Sequence, residues 1–398
     1  MQSVGSRAWI LSLAALTAVV ALSVDMSLPA QPTLAKVFAV GDATTQLTLS
    51  VFIVSFAVVQ LATGYLSDAW GRRPVLIGGL VVFALASIAC ALAPSIEVLI
   101  ACRVIQGAGA AAAPVVSRAM VRDTQPAAEA ARLLSTMLAV LAIAPMVAPS
   151  IGSALLVAFG WRAIFGMLAV LGVGFLALAA GTLPETLPRD RLRPLSFRAL
   201  AGGYVKFLST PGTKLPITIG CVSFAGQFAY ISASPIVYMD GYHVSERAYA
   251  IYFGATAIAL MLGSLAGGRM IRAGASPRRL IATGGTLLAI GGVAVAATTA
   301  AGLGIAGFLP PMLMFFFATG MTGPSATAIA MEPVPEIAGA ASAVIGFSTM
   351  TCGAVAGYLT TRFGGSTPLL FSRVVLVTGL VAATLAFTTA ARQPRRTR

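Results

Sequence analysis

The sequence predicts an all-α integral membrane protein with twelve transmembrane helices, arranged as two bundles of six. Twelve apolar segments alternate with short polar loops, and each is about as long as the ~20 residues that cross a bilayer as a helix. The composition agrees, since 58% of the residues are hydrophobic, only 10% are charged, and the mean hydropathy is +0.92. The longest polar stretch lies in the middle of the chain and separates six segments from six.

The spans follow from the hydropathy pattern, and most of their ends lie at or near prolines such as Pro94, Pro184 and Pro368. The division between the ninth and tenth spans is the least marked, because Gly302 and Gly304 barely interrupt the apolar run there. One helix over both would be too long for a bilayer, so we predict two. The predicted spans are 8–28, 47–66, 75–93, 98–117, 133–156, 163–183, 215–239, 248–267, 280–299, 305–329, 337–359 and 370–390.

Basic residues predict which side of the membrane each loop occupies. Most of the 26 Lys and Arg residues fall on the side of the N-terminus, including Arg72, Arg73, the central linker and the run from Arg392 to Arg398. The positive-inside rule therefore places both termini in the cytoplasm. The net charge of +14 is spread over many loops, which favours anionic lipid rather than nucleic acid as its neighbour.

Residues that carry enzymatic or metal chemistry are sparse. The single histidine, His243, falls in a predicted external loop, and no Gly-rich loop leads into a Gly-Lys-Ser/Thr phosphate motif. The cysteines all fall within apolar spans and lack metal-ligand spacing: Cys90, Cys102, Cys221 and Cys352. We therefore expect neither an enzyme nor an ATP-driven pump, and neither a metal nor a cofactor.

The chain divides into an N-terminal six-helix bundle (1–184), a cytoplasmic linker (185–214) and a C-terminal six-helix bundle (215–398). The linker is basic and rich in proline. The loop after the second span reads GYLSDAWGRRPV, and its counterpart after the eighth reads GGRMIRAGASPRRL, so the halves echo each other. Duplicated six-helix halves around a site at the membrane midplane are typical of secondary transporters.

Three motifs lie in the first half: Gly64, Leu66, Asp68, Gly71, Arg72 and Arg73; then Arg103, Gln106, Gly107 and Gly109; then Ala144, Pro145, Ala148 and Pro149 with Gly152. They resemble motifs of the major facilitator superfamily, and the third resembles the one that marks drug exporters within it. More narrowly, DMSLPAQP (25–32) and MEPVPEIAGAASAVIG (331–346) resemble segments of the Bcr/CflA drug-resistance transporters. The resemblance covers the whole chain. It departs at Ala69, where a basic residue is usual, and at Ser27, where an aromatic residue is common.

Asp25 is the one carboxylate inside a predicted span and away from its ends. A charge there costs at least ~2.5–3.5 kcal/mol, so such residues usually mark a pathway or a proton relay. Arg103 lies at a similar depth, roughly 10 Å below the outer surface, which predicts that the two form a proton-coupling pair. Alternatively, Asp25 could sit at a solvated outer mouth, and Arg103 could be a structural tie to backbone carbonyl groups.

A substrate pocket is predicted from helix faces that place one polar residue among large apolar ones. A lipid-facing or packed stripe would look the same. Gln106, on the face of Arg103, could bind substrate or support Arg103, and Tyr238 and Tyr242 are interpreted as interfacial residues. The pocket candidates are Phe52, Phe56 and Gln60 in the second span and Phe224, Gln227 and Phe228 in the seventh.

Ala144, Ala148 and Gly152 in the fifth span form a stripe of small residues that lets another helix approach closely. Pro145 and Pro149 bend this span. The resemblance favours a sealed interface between the halves, and ordinary helix packing is the alternative.

Asp68 lies with Arg72 and Arg73 at the cytoplasmic ends of the second and third spans, with Gly64 and Gly71 beside them. A charge pair in this place could hold the helices together in one conformation and so act as a gate. Charges that merely set topology would explain the arginines but not Asp68.

The resemblance implies a proton-driven antiporter of the bacterial inner membrane. It would export small lipophilic drugs, of the chloramphenicol or bicyclomycin type, by alternating access. Its partners would be the drug-like substrate, protons and membrane lipids, and we expect a monomer. The same fold could instead house a proton-linked importer or a metabolite exporter. A non-transporting membrane receptor is a further alternative, although it would not need an ionisable pair in the bilayer.

Overall fold

The computed structural model describes residues 7–188, 190, 192, 196–363 and 367–391. Every regular element in these ranges is helical. Parts of the linker and the C-terminal run from Arg392, which contribute to the predicted orientation, lie outside the described residues.

The first half contains nine α-helices, and a short 3-10 turn, Leu28–Ala30, joins the second to the third. The helices are α1 (Arg7–Thr17), α2 (Val19–Asp25), α3 (Gln31–Val37), α4 (Asp42–Trp70), α5 (Arg72–Ala91), α6 (Ile96–Ala110), α7 (Ala112–Thr124), α8 (Ala127–Phe159) and α9 (Trp161–Thr182).

The second half begins with a linker helix, and a π-helical turn, Val237–Gly241, extends its first long helix. The helices are α10 (Phe197–Ser209), α11 (Lys214–Ile236), α12 (Glu246–Arg272), α13 (Pro277–Ala300), α14 (Gly304–Met331), α15 (Ala338–Arg362) and α16 (Pro368–Ala391).

Eleven helical segments in the described part are long and apolar enough to cross a membrane. The fifth predicted span lies in α8, a 33-residue helix whose apolar portion is the shorter segment Ile143–Phe159. Helices therefore lie at all twelve predicted positions, and the all-α membrane fold is confirmed.

Local sequence accounts for several helix ends. Ser95, Ser245 and Ser276 precede α6, α12 and α13, and each side-chain oxygen accepts a hydrogen bond from the backbone N–H three residues later, at 3.3 to 3.4 Å. The helices α13 and α14 separate at Gly302 and Gly304, whose φ angles of 66° and 60° favour glycine. The predicted division between the ninth and tenth spans is therefore confirmed.

The first span is longer than predicted. It runs from Trp9 to Val37, whereas the sequence predicts an end at residue 28. Pro29 and Pro32 do not end the span. They lack the N–H groups that would continue the ladder of α2, so the helix breaks after Asp25 and resumes as α3.

Contacts divide the chain into two compact units, residues 1–198 and 199–398. In the first unit α5 packs against α6 and α9, and α4 packs against α6. In the second, α13 packs against α14 and α16, α11 against α15 and α16, and α12 against α14. The linker helix α10 belongs to the second unit, so the boundary falls inside the linker.

The core of the second unit contains a cluster of tyrosine and phenylalanine rings. Tyr230 and Tyr238 are both 0% exposed, their hydroxyl oxygens are 3.3 Å apart, and Thr256 donates to Tyr230. Tyr238 is therefore a core residue, and its interpretation as an interfacial residue is wrong. The ring meets other aromatic rings on several sides, including Tyr249 and Phe308, which favours burial over a place at the membrane surface.

The two units differ in the chemistry of their buried polar groups. The first unit buries the charged side chains Asp25, Arg72 and Arg103. The buried polar side chains described for the second unit are serine and threonine hydroxyls, together with the tyrosines of its core.

Candidate functional site

Asp25 lies at the C-terminal end of α2, where the first span breaks. It is 4% exposed, and its carboxylate makes no hydrogen bond or ion pair with any of the described residues. Because the span continues to Val37, Asp25 lies well inside it and not at a solvent-exposed end. The result is a buried carboxyl group that nothing in the described part of the chain neutralises.

Arg103 on α6 is 0% exposed and is held by backbone carbonyl groups. Its Nε donates to the Thr48 carbonyl oxygen at 2.9 Å, and its Nη2 donates to the Ser23 carbonyl oxygen at 3.3 Å. The guanidinium carbon lies 4.3 Å from the centre of the Phe52 ring. Arg103 thus links α2, α4 and α6.

The expected direct pair between Arg103 and Asp25 is not formed. Arg103 instead joins the C-terminal end of α2. There the Ser23 carbonyl oxygen also accepts from the Ser27 hydroxyl at 3.2 Å. The N–H groups of Met26 and Ser27 donate to the Leu22 and Val24 carbonyl oxygens, respectively, at 3.1 Å. These carbonyl groups form the negative end of the helix dipole, which favours a guanidinium beside them, so Arg103 adds a charged donor to the turn that carries Asp25.

Gln106 supports Arg103 and offers no free polar atom in this structure. Its Oε1 accepts from Arg103 Nη1 at 2.5 Å, and its Nε2 donates to Ser87 Oγ at 2.7 Å. Ser87 in turn donates to the Phe83 carbonyl oxygen at 2.7 Å. Since Gln106 is 0% exposed, the supporting role fits its contacts and the substrate-binding role does not.

The pocket candidates fall into two groups that lie in different units. In α4, Phe52 is 0% exposed and Phe56 is 4% exposed, whereas Gln60 is half-buried. Gly107 lets α6 approach Phe52 closely, since a Cβ there would collide with the Phe52 carbonyl oxygen. Phe52 therefore packs against Arg103 and α6, and does not line open space.

In α11, Phe224 and Gln227 are half-buried and Phe228 is 2% exposed. The rings of Phe224 and Phe228 are stacked with their centres 5.9 Å apart. Of the six candidates, the partly accessible ones are thus Gln60, Phe224 and Gln227.

Arg72 is the centre of an ionic cluster at one end of the first unit. Its Nη1 lies 2.5 Å from Asp68 Oδ1, and its Nε lies 2.8 Å from Asp123 Oδ2. Nη1 also donates to Ser67 Oγ at 2.7 Å, while Arg73 donates to the Ala180 carbonyl oxygen at 2.8 Å. The structure brings Asp68 and Arg72 together as expected, and adds α7 through Asp123.

Glu185 completes this cluster by capping α5. Its two carboxylate oxygens accept hydrogen bonds from the backbone N–H groups of Arg72 and Arg73, both at 3.0 Å. Gly71, with φ 96°, turns the chain between α4 and α5, and a Cβ on it would press against the Glu185 carboxylate. Sequence reasoning missed Asp123 and Glu185, although both are acids at the ends of apolar spans.

Gln31 and Thr48 are also missing from the predicted site. Gln31 is 2% exposed, and its Nε2 donates to Thr48 Oγ1 at 3.3 Å, while the Thr48 carbonyl oxygen accepts from Arg103. Thr48 lies at the start of the second predicted span, and Gln31 lies beyond the predicted end of the first, so only the longer span in the structure places Gln31 inside it.

The small-residue stripe of α8 packs against the first span of the same unit. Ala148 is 0% exposed and Ala144 is 7% exposed. A Cβ on Gly152 would collide with the carbonyl oxygen of Met26, the residue after Asp25. Within this unit, then, the stripe contacts the broken segment of the first span. The sealed interface between the halves stays a prediction. Pro145 and Pro149 lie inside α8, as predicted.

No three His, Cys, Asp or Glu side chains of the described residues come together as a metal site. The site contains an ionisable carboxyl group at Asp25 and hydrogen-bonding groups around Arg103.

Comparison with known proteins gives a consistent result. A family model described as Major Facilitator Superfamily matches residues 13–357. The chain is 34% identical over 372 residues to an uncharacterized MFS-type transporter, YdgK, of Bacillus subtilis (strain 168), with 92% of this chain and 91% of the relative covered.

Two relatives have names that refer to drug resistance. A bicyclomycin resistance protein homolog of Haemophilus influenzae is 29% identical over 370 residues, with 92% of each chain covered. A chloramphenicol resistance protein of Pseudomonas aeruginosa is 34% identical over 328 residues, with 81% of this chain and 76% of the relative covered.

Among solved structures, a bacterial homolog of the human lysosomal transporter Spinster, in an inward-facing and unoccupied conformation, has a TM-score of 0.74. It is 16% identical and covers 97% of this chain and 98% of its own. This likeness supports the fold.

We predict that Arg103→Lys lowers the stability of the protein by about 2–3 kcal/mol although the charge is kept. A single ammonium group cannot reach the Thr48 and Ser23 carbonyls and Gln106 together. Thermal unfolding in detergent measures the effect. Arg162→Lys is the matched control, because Arg162 donates to one carbonyl, that of Ala93, and lies over one ring. Equal unfolding temperatures for the two variants would contradict the capping role.

We predict that Gly152→Ala disturbs the turn after Asp25, because the new Cβ pushes against the Met26 carbonyl oxygen. Amide hydrogen exchange should become faster at residues 26–28 and 30, the residues of this turn that carry a backbone N–H. Gly174→Ala is the control, since a Cβ at Gly174 meets open space. Unchanged exchange at residues 26–28 and 30 in the Gly152 variant would show that α8 does not support this turn.

We predict that Glu185→Gln destabilises the start of α5 by about 1 kcal/mol, because an amide has one acceptor oxygen and no charge for two backbone N–H groups. Chemical unfolding measures this loss. Glu97→Gln removes an exposed first-turn acid that bonds to Ser95 at the start of α6 and reaches no other helix in the described part of the chain, so it should cost less than Glu185→Gln. If both substitutions had the same effect, the bridge from Glu185 to α5 would contribute nothing.

Proposed function

Since this chain belongs to the Major Facilitator Superfamily, a family of transporters driven by ion gradients and not of enzymes, we propose that it is a proton-coupled drug exporter. Its relatives include proteins named for bicyclomycin resistance, chloramphenicol resistance and multidrug resistance. We propose small, largely lipophilic compounds of these kinds as its substrates.

The observation that carries the proposal is the buried and unneutralised carboxyl group of Asp25 within the first span. An ionised side chain in the bilayer costs at least ~2.5–3.5 kcal/mol, and a bound proton removes that cost. A carboxyl group with no resident counter-ion can therefore exchange one stabilising partner, a proton, for another, such as a polar or cationic group of a substrate. This competition is what an antiporter needs.

Arg103 would act as a positioning residue in this mechanism. It caps α2 through the Ser23 carbonyl, two residues before Asp25, and so fixes the turn from which the carboxyl group projects. Because its N–H groups are engaged by carbonyl oxygens and by Gln106, it leaves Asp25 open to protons.

The drug would contact residues that remain partly accessible in this structure. In the second unit, Phe224, stacked on Phe228, offers an aromatic surface and Gln227 offers an amide group. In the first unit, Gln60 offers an amide group. A mainly apolar surface with a few polar groups suits lipophilic ligands. Phe52 and Gln106 are not part of this proposed surface, because both are buried against Arg103.

The transport cycle would be alternating access, in which the substrate site opens to one side of the membrane at a time. The cluster of Asp68, Arg72, Asp123 and Glu185 would act as a latch that holds α4, α5 and α7 together in one state. We propose that this cluster faces the cytoplasm of a bacterial cell, with both termini on the same side. That orientation follows the distribution of basic residues.

We predict that Asp25→Asn abolishes proton-driven efflux, because it removes the exchangeable proton at nearly constant volume. In everted vesicles, uptake of chloramphenicol or another compound identified from a susceptibility panel should lose its dependence on the pH gradient. Detergent-solubilised variant should unfold at the temperature of the parent or above it, since a buried charge is lost.

Asp240→Asn, at an exposed position after α11, is the matched control and should transport normally. Normal efflux by Asp25→Asn at every pH would exclude Asp25 as the coupling residue. If the parent protein transported the compound equally well with and without a pH gradient, proton coupling itself would be excluded.

A further inference from the structure

The linker helix α10 has two sides with different surroundings. At 13 residues it is too short to cross a membrane. One side packs against the other helices of the second unit. The other side is exposed although it carries apolar side chains.

The packed side fixes the orientation of α10. Phe207 is 0% exposed and packs in a cluster with Val334 and Ala341, and Tyr204 is partly buried against the same cluster. Lys206 Nζ lies 2.9 Å from Glu336 Oε1, in the turn between α14 and α15. The pKa of Glu336 is lowered because Lys206 donates this hydrogen bond.

The neighbours of Phe207 locate α10 at the level of the membrane surface. Ile217 lies in the first turn of α11, Ala330 in the last turn of α14, and Ala341 in the first turn of α15. These three helices are long and apolar enough to span the membrane, and these are their ends on one side. A helix packed on them lies at the height where the spans leave the bilayer.

The exposed side carries an apolar stripe. Ala201, Val205 and Leu208 are four and three residues apart, so they share one face of the helix. Val205 is 66% exposed and Leu208 is 45% exposed. Exposed apolar area of this kind is unfavourable in water, and at this height it would meet the boundary between lipid headgroups and acyl chains.

Basic side chains flank this stripe. Arg198 is exposed in the first turn of α10. Lys214, also exposed, begins α11 five residues after α10 ends. An apolar stripe beside basic residues is the pattern of helices that lie on an anionic membrane. A protein partner would be an alternative occupant, but the height of the helix and the sign of its charge favour lipid.

We propose that α10 is a membrane-surface helix. It binds anionic phospholipids in the membrane leaflet on which the linker lies. Ala201, Val205 and Leu208 insert between the headgroups, and Arg198 meets the lipid phosphates. Lys206, paired with Glu336, holds α10 against the turn between α14 and α15. The inference does not depend on which compound the protein transports.

Fluorescence in nanodiscs tests the insertion. Leu208→Trp places an indole on the stripe, whereas Gly202→Trp places it about a third of a turn away, at an exposed site where a Cβ meets open space. The signal of the native Trp9, Trp70 and Trp161 is measured in the parent and subtracted. We expect lipids brominated near the headgroup end of their chains to quench Leu208→Trp about twofold more than Gly202→Trp. Equal quenching would overturn the proposed insertion.

Lipid composition tests the charge preference. Quenching of Leu208→Trp should be stronger in discs of three parts phosphatidylcholine to one part phosphatidylglycerol than in phosphatidylcholine alone. Introducing Arg198→Gln into the Leu208→Trp variant should lower the apparent affinity of the protein for phosphatidylglycerol about fivefold. Inorganic phosphate at the same concentration should not compete, because it lacks an acyl chain. The same quenching in both lipids, or no effect of Arg198→Gln, would exclude an anionic lipid site. Quenching abolished by a co-purified protein would identify a protein as the occupant instead.

Discussion

A helix cannot end inside a bilayer without donors for its last carbonyl groups, and much of the first unit is organised around this constraint. The first span breaks after Asp25, and the last carbonyl groups of α2 accept from Met26 and Ser27 and, at Ser23, also from Arg103. Gln106 and Ser87 hold Arg103 in place, and Gly107 brings its helix close enough to reach. The motif of the fourth span thus adds a charged donor to the end of a helix in the first.

In this arrangement the contacts that hold Arg103 in place are separate from the carboxyl group of Asp25. The guanidinium group is engaged by dipoles, so its position does not depend on whether Asp25 is ionised. Asp25 lies two residues from the capped carbonyl of Ser23, close enough for its backbone to be fixed while its carboxyl group stays without a resident partner. Gly152 adds a second constraint on the same turn from α8. Two motifs that are far apart in sequence therefore support one short segment.

The sequence predicts the spans well, because length and hydropathy are local properties, and even the weak division at Gly302 and Gly304 is correct. It also identifies Asp25 and Arg103, since charges in apolar spans are conspicuous. It gives the tie of Arg103 to backbone carbonyl groups only as the alternative to a pair with Asp25, because backbone carbonyls leave no signature in residue types. Asp123 and Glu185 were missed for a related reason: an acid at a span end looks like a loop charge until Arg72, 51 and 113 residues away, is seen beside it.

The unequal distribution of buried charge has a consequence for divergence between relatives. The second unit has a core of rings and hydroxyl groups, in which most substitutions alter shape and leave the balance of charge untouched. The first unit has an electrostatic arrangement in which a change at one position leaves another group unsatisfied. Sequence drift should therefore accumulate faster in the second half, where a changed side chain leaves none of the described buried charges without its partner.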